Sequence, residues 1–160
     1  QSEARLTREQ RARGLALMRL ASLMQYTLPG VPCVYYGDEA GLEGYRDPFN
    51  RGCFPWGRED AGLVEWYRGL GRLRAGCSCL KEGAFVPVAA EGDVMAYLRR
   101  DGNGALLCAF NRGGAPRTVT LPAEWGGAEA LLGNAPDAGG HLALPPISCA
   151  ACRLRYEKRE

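Results

Sequence analysis

Acidic, basic and aromatic side chains gather in one stretch of the sequence, residues 36 to 56. Tyr36-Gly37-Asp38-Glu39 is followed by Asp47-Pro48-Phe49-Asn50-Arg51 and then by Phe54-Pro55-Trp56. Asp38 and Glu39 stand just after a short apolar run, at the end of a strand where α/β architectures bind ligands. An Asp and an Arg four residues apart on a tight loop can present an acceptor and a fork of donors to vicinal hydroxyls. Trp56, with the neighbouring Phe and Tyr rings, can stack on the apolar face of a sugar. The same residues admit a purely structural reading, in which Asp47 and Arg51 staple the loop and Trp56 is filler.

The cysteines offer a second chemistry. There are seven, an odd and irregularly spaced set. Such a set argues against a disulfide scaffold and for a reducing, cytoplasmic setting. Cys77-x-Cys79 and Cys149-x-x-Cys152 have the look of a split zinc site. The pairs are far apart in sequence and lack a neighbouring His or Gly knuckle, so small apolar core residues are the better reading. No metal ligand set and no cofactor site is expected.

These residues need elements to hold them. Thr7-Arg8-Glu9-Gln10 has capping-box form and predicts a helix from about Arg8 to about Thr27, ended by Pro29-Gly30. From Leu15 onward this helix is apolar on nearly all sides and calls for neighbours over most of its surface. Val31 to Tyr36 does not alternate polar and apolar, which predicts a strand buried on both faces. A long loop, residues 37 to 60, is followed by Asp60 as the cap of a second helix, Ala61 to Arg74. There Leu63, Trp66, Tyr67, Leu70 and Leu73 share one face.

After Gly76 the pattern turns to short strands: Ala84 to Ala89, Val94 to Arg99, Ala105 to Asn111, Arg117 to Leu121, Ala128 to Leu132, His141 to Leu144 and Ala151 to Tyr156. Asp101-Gly102-Asn103-Gly104 is hairpin chemistry, because Gly and Asn accept positive φ. Short strands at this spacing predict an antiparallel sandwich over residues 82 to 156. A boundary falls near Cys77 to Lys81, dividing the chain into residues 1–76 and 77–160.

Bulk composition narrows the partners. Twenty Lys plus Arg against eighteen Asp plus Glu leaves a formal charge of +2, too small to argue for nucleic acid or an anionic membrane. Leu15 to Tyr36, the most apolar stretch, is interrupted by Arg19, Gln25, Pro29, Gly30 and Pro32 and does not read as a membrane span. The polar residues from Gln1 to Arg13 do not read as a signal peptide, and a chain opening on Gln rather than Met reads as processed or truncated.

Taken together, the run from Leu28 to Leu42, then Asp47-Pro-x-x-Arg51 and Phe54-Pro-Trp56, resembles the alpha-amylase family, glycoside hydrolase family 13. Leu28 to Leu42 looks like the segment spanning the eighth barrel strand. The loop is similar to that of neopullulanases, cyclomaltodextrinases and oligoglucosidases. By motif the resemblance covers about residues 7 to 75, and by architecture it extends through the β-sandwich that this family calls domain C.

The resemblance implies an α+β fragment: the last strand and helices of a (β/α)8 barrel, residues 1–76, followed by an antiparallel β-sandwich, residues 77–160. It implies a retaining hydrolase of α-glucans whose three catalytic carboxylates come from strands four, five and seven. Nothing in this sequence matches those positions. His141, the only histidine, lies far downstream, and Asp38 and Glu39 read as loop-anchoring groups. Asp47 and Arg51 map onto positions that contact sugar on the non-reducing side of the scissile bond. Gly52-Cys53 departs from relatives that often carry a basic residue and a Pro there. The expected partner is an α-glucan oligosaccharide, engaged through a complete barrel, with no nucleic acid and no membrane. Apolar surface left uncovered between Leu15 and Tyr36 predicts self-association. The chain alone is expected not to hydrolyse glycosidic bonds. Rival readings are an α-1,6-glucosidase or transglycosidase of the same family, a stand-alone carbohydrate-binding or interaction module, and a zinc-structured adaptor.

Overall fold

The structure, a computed structural model, describes residues 5–121 and 125–156. Helix α1 runs from Arg8 to Thr27, α2 from Ala61 to Gly76 and the short α3 from Cys79 to Glu82. Seven strands follow: β1 Ala84–Glu91, β2 Val94–Asp101, β3 Gly104–Asn111, β4 Arg117–Thr120, β5 Trp125–Leu132, β6 His141–Leu144 and β7 Ser148–Tyr156. All strand pairing is antiparallel. One sheet has the order β1-β2-β3-β7-β5, and β4 and β6 form a second.

Local chemistry sets the helix starts. The Thr7 hydroxyl accepts from the Gln10 backbone N–H at 3.2 Å, and the Gln10 side chain accepts from the Thr7 N–H at 2.9 Å. Asp60 caps α2 by accepting from the Leu63 N–H at 2.9 Å. The β2–β3 hairpin turns at the expected residues, with Asp101 opposite Gly104. Positive φ falls on Gly104, at 155°, and not on Gly102 or Asn103. Asp101 Oδ1 instead accepts from the Asn103 N–H at 2.8 Å, so a side chain shapes the turn.

The larger sheet is covered on both faces. Alternate residues of β3 separate two cores: Leu106, Cys108 and Phe110 face the helices, while Ala105, Leu107 and Ala109 face β4 and β6. Leu20 and Leu23 of α1, and Leu63, Tyr67, Leu70 and Leu73 of α2, join the first core. Trp66 completes the α2 face by donating from Nε1 to the Ser22 hydroxyl at 2.9 Å. The β-sandwich therefore carries the helices on the outer face of its larger sheet, and both parts of the chain share one core. The buried Asn111 pins the end of β3: its amide donates to the carbonyls of Ala115, Leu144 and Pro145 and accepts from the Gly113 N–H.

Residues 31–36 do not form the strand that the apolar run predicts. They have no ladder partners, Tyr36 already lies in a turn, and Val31 is 92% exposed, with Tyr35 and Tyr36 more than half exposed. A buried parallel strand needs a strand on each side and helices on both faces; α1 reaches this segment only through Gln25, whose Nε2 donates to the Cys33 carbonyl, and no strand among the described residues pairs with it. Likewise α1 buries fully only Leu20, Ser22, Leu23 and Thr27, leaving Leu15, Leu17 and Met18 half-covered.

Candidate functional site

The loop that carries the candidate residues is anchored at its base. After residues 31–36, the Asp38 N–H donates to the Tyr35 carbonyl at 3.1 Å and the chain enters a 3-10 turn, Asp38–Ala40. Gly37 starts that turn at φ 88°, and its carbonyl accepts from Ala40 and Leu42. A Cβ on Gly37 would meet the Leu42 side chain at 2.8 Å, so a larger residue is excluded by both dihedral and space. Arg11 of α1 ties the loop down. Its guanidinium meets Glu43 at 2.9 Å and Asp60 at 3.6 Å, and donates to the Gly41 carbonyl. The Asp60 N–H closes the loop by donating to the Ala40 carbonyl at 2.9 Å.

Asp38 and Glu39 lie in this turn, not on a strand end. The two carboxylates interact: burial first, and then the charge of Glu39, raise the Asp38 carboxyl above its ordinary value. Asp38 in turn adds to burial in pushing the Tyr67 phenol up to about 12. Glu39 Oε2 is enclosed without a hydrogen-bond partner.

At the tip, Asp47 and Arg51 meet each other. Arg51 Nη2 lies 2.5 Å from Asp47 Oδ1, with 67% and 65% of their side chains exposed. This is the stapling geometry. Both groups also face solvent, where the guanidinium retains free donors and the carboxylate a second oxygen. Trp56 is 80% exposed and ends a run of rings: Tyr36 to Phe54 at 5.9 Å and Phe54 to Trp56 at 4.6 Å. No hydrogen bond or ring contact among the described residues joins this array to Asp47 and Arg51. A cleft of about 460 Å³ opens between the loop and the start of α1, walled by Arg11, Tyr45, Phe49, Cys53 and Arg58, but not by Asp47, Arg51 or Trp56.

Sequence reasoning missed the ties made by Arg11 and Glu43, because nothing local marks a pair 32 residues apart. The cysteine pairs lie in apolar cores, Cys77 and Cys79 on the helical side of the sheet and Cys152 on the other. Burial raises the Cys79 and Cys152 thiols to about 11, and all seven cysteines are unpaired. Among the described residues no group of three or more His, Cys, Asp or Glu is placed to hold a metal ion, and no helix is long and apolar enough to cross a membrane.

No family model matches the sequence. Individual relatives do. The amylopullulanase of Thermoanaerobacter thermohydrosulfuricus is 45% identical over 97 residues, which are 59% of this chain and 7% of that protein. A cyclomaltodextrinase from a Bacillus species is 40% identical over 106 residues, 64% of this chain and 19% of the relative. Among solved structures, the debranching enzyme of Nostoc punctiforme superposes with a TM-score of 0.75 at 28% identity, covering 87% of this chain and 31% of that one. The chain thus spans less than a fifth of the length of those two relatives. The relatives' identities and the structural superposition make the chain a member of the alpha-amylase family, glycoside hydrolase family 13.

Proposed function

We propose that this chain is the C-terminal part of a retaining α-glucan hydrolase that acts on the α-glucosidic bonds of starch-derived oligosaccharides. In this reading residues 1–76 complete a (β/α)8 barrel, residues 77–160 are domain C, and Asp47, Arg51 and Trp56 contact the sugar. The observation that carries it is the exposed, anchored loop with solvent-facing polar groups and clustered rings, in a chain whose relatives are named amylopullulanase and cyclomaltodextrinase. A second reading, an α-1,6-glucosidase of the same family, draws support from the Nostoc structure, which is a debranching enzyme.

The chain alone is inactive on this reading. Retaining hydrolysis needs two carboxyl groups about 5–5.5 Å apart, one on each side of the scissile bond. Asp38 and Glu39 are consecutive in one tight turn, with Glu39 Oε2 enclosed, and cannot bracket a sugar bond between them. The exposed side chains from Val31 to Tyr36 lead the chain to self-associate. Seven unpaired cysteines favour a cytoplasmic location.

The test is an assay of the purified chain against maltooligosaccharides, pullulan and cyclodextrins, beside size-exclusion chromatography. No turnover, with elution above the monomer position, is expected. Turnover at enzymatic rates that Asp38→Asn or Glu39→Gln abolishes would overturn the assignment. In the longer natural chain, cleavage confined to pullulan branch linkages would select the α-1,6 reading. Tight sugar binding by the 160-residue chain with no hydrolysis by the longer one would indicate a binding module.

A further inference from the structure

The last carbonyls of a helix have no partner within it, and a cation at that end also meets the negative end of the helix dipole. Helix α1 has no basic residue in its own last turn. Two arginines from other elements take that role. Arg99 of β2 donates from Nη1 to the Thr27 carbonyl at 2.7 Å, and Arg74 of α2 donates to the Tyr26 carbonyl at 2.8 Å and to the Gly30 carbonyl at 2.5 Å.

Arg99 is 1% exposed, its second amino group donates to the Gly83 carbonyl at 3.0 Å, and no carboxylate among the described residues pairs with it. A guanidinium buried on carbonyls alone is an expensive placement for a residue that merely fills space. Beside it, the Thr27 hydroxyl lies 2.6 Å from the Tyr97 hydroxyl, a second tie from β2 to the same turn. The chain leaves this turn directly into residues 31–36, which have no ladder of their own, and then into the loop with Asp47, Arg51 and Trp56.

We infer that Arg99 and Arg74 are positioning residues for the carbohydrate loop: the β-sandwich and α2 hold the C-terminal turn of α1 through its carbonyls, and so set the direction in which the loop departs. This rests on the sugar-contact reading of the loop for its functional meaning, but not for its geometry.

The test compares Arg99→Met, Arg99→Lys and Arg74→Gln with the unaltered chain by hydrogen exchange and by titration with maltoheptaose. Hydrogen bonds to a charged donor are strong enough that exchange at the Leu28, Asp38 and Leu42 amides should rise about tenfold or more, with β3 and β7 unchanged. Arg99→Lys, which keeps the charge and one donor, should recover part of the protection. If Arg99→Met does not fold, Arg74→Gln, on a partly exposed side chain, carries the same comparison. Unaltered loop exchange in every folded variant overturns the inference, as does a rise spread evenly over the sheet. A local rise with maltoheptaose affinity lowered in parallel supports it in full. A local rise in a chain that binds no maltoheptaose supports the positioning role and counts against the sugar-contact reading alone.

Discussion

The central strands and the loop after α1 were built under opposite rules. β3 runs through the sheet with Ala105 to Asn111 buried on both faces, each layer supplied by this same chain. Residues 31–36 are as apolar in type, yet stand exposed beside a loop whose rings and charges point outward. An apolar run is buried only where neighbours exist to bury it. The sandwich contains its own neighbours, whereas residues 31–36 pair with no strand among the described residues.

Mutations should separate the two regions. Leu107 is fully buried between the two sheets, so Leu107→Ala should cost about 2–5 kcal/mol in denaturant unfolding. A loss below about 1 kcal/mol would mean that the sandwich core is no better packed than the loop. On the proposed reading of the chain as part of a longer α-glucan hydrolase, Asp47→Ala and Arg51→Ala in that enzyme should each weaken maltooligosaccharide binding by about 1.5–3 kcal/mol, the worth of a hydrogen bond to a charged group. Unchanged kinetics in both folded variants would leave the loop pair with stapling alone.

Asp60→Ala removes the cap of α2 and a tie to Arg11, and should lower stability by about 1 kcal/mol. Smallest is the effect of Asp47→Ala on the stability of the chain, expected within about 0.5 kcal/mol because the pair is so exposed. A larger loss in thermal unfolding would show that the loop tip is part of the fold's support.

The acidic turn sharpens the comparison through pH. The folded-state pKa of Asp38 is raised, so between its ordinary value of 3.8 and the higher folded value the native state binds more protons than the unfolded one. Stability should therefore fall as pH rises through that window. Asp38→Asn should flatten this segment of the stability–pH curve. An unchanged slope in the variant would remove Asp38 from the account.

Much of the architecture was legible in residue order, because its causes are local. Thr7 with Gln10, Asp60 with Leu63, and the turn at residues 101 to 104 are decided within a few residues, and each lies where the pattern placed it. The motif that identifies the family is equally local, since Asp47, Arg51 and Trp56 fall within one loop. What could not be read there depends on distant groups. Whether Val31 to Tyr36 becomes a strand depends on neighbours the segment does not encode. Arg99 looks like a surface charge on a strand until α1 brings the Thr27 carbonyl to it across 72 positions. Arg11, on a polar helical turn, becomes the loop's anchor only when packing sets Glu43 and Asp60 beside it. Hydrogen bonds and ion pairs between remote residues leave no periodic trace, so the folded chain alone reveals how its loop is held.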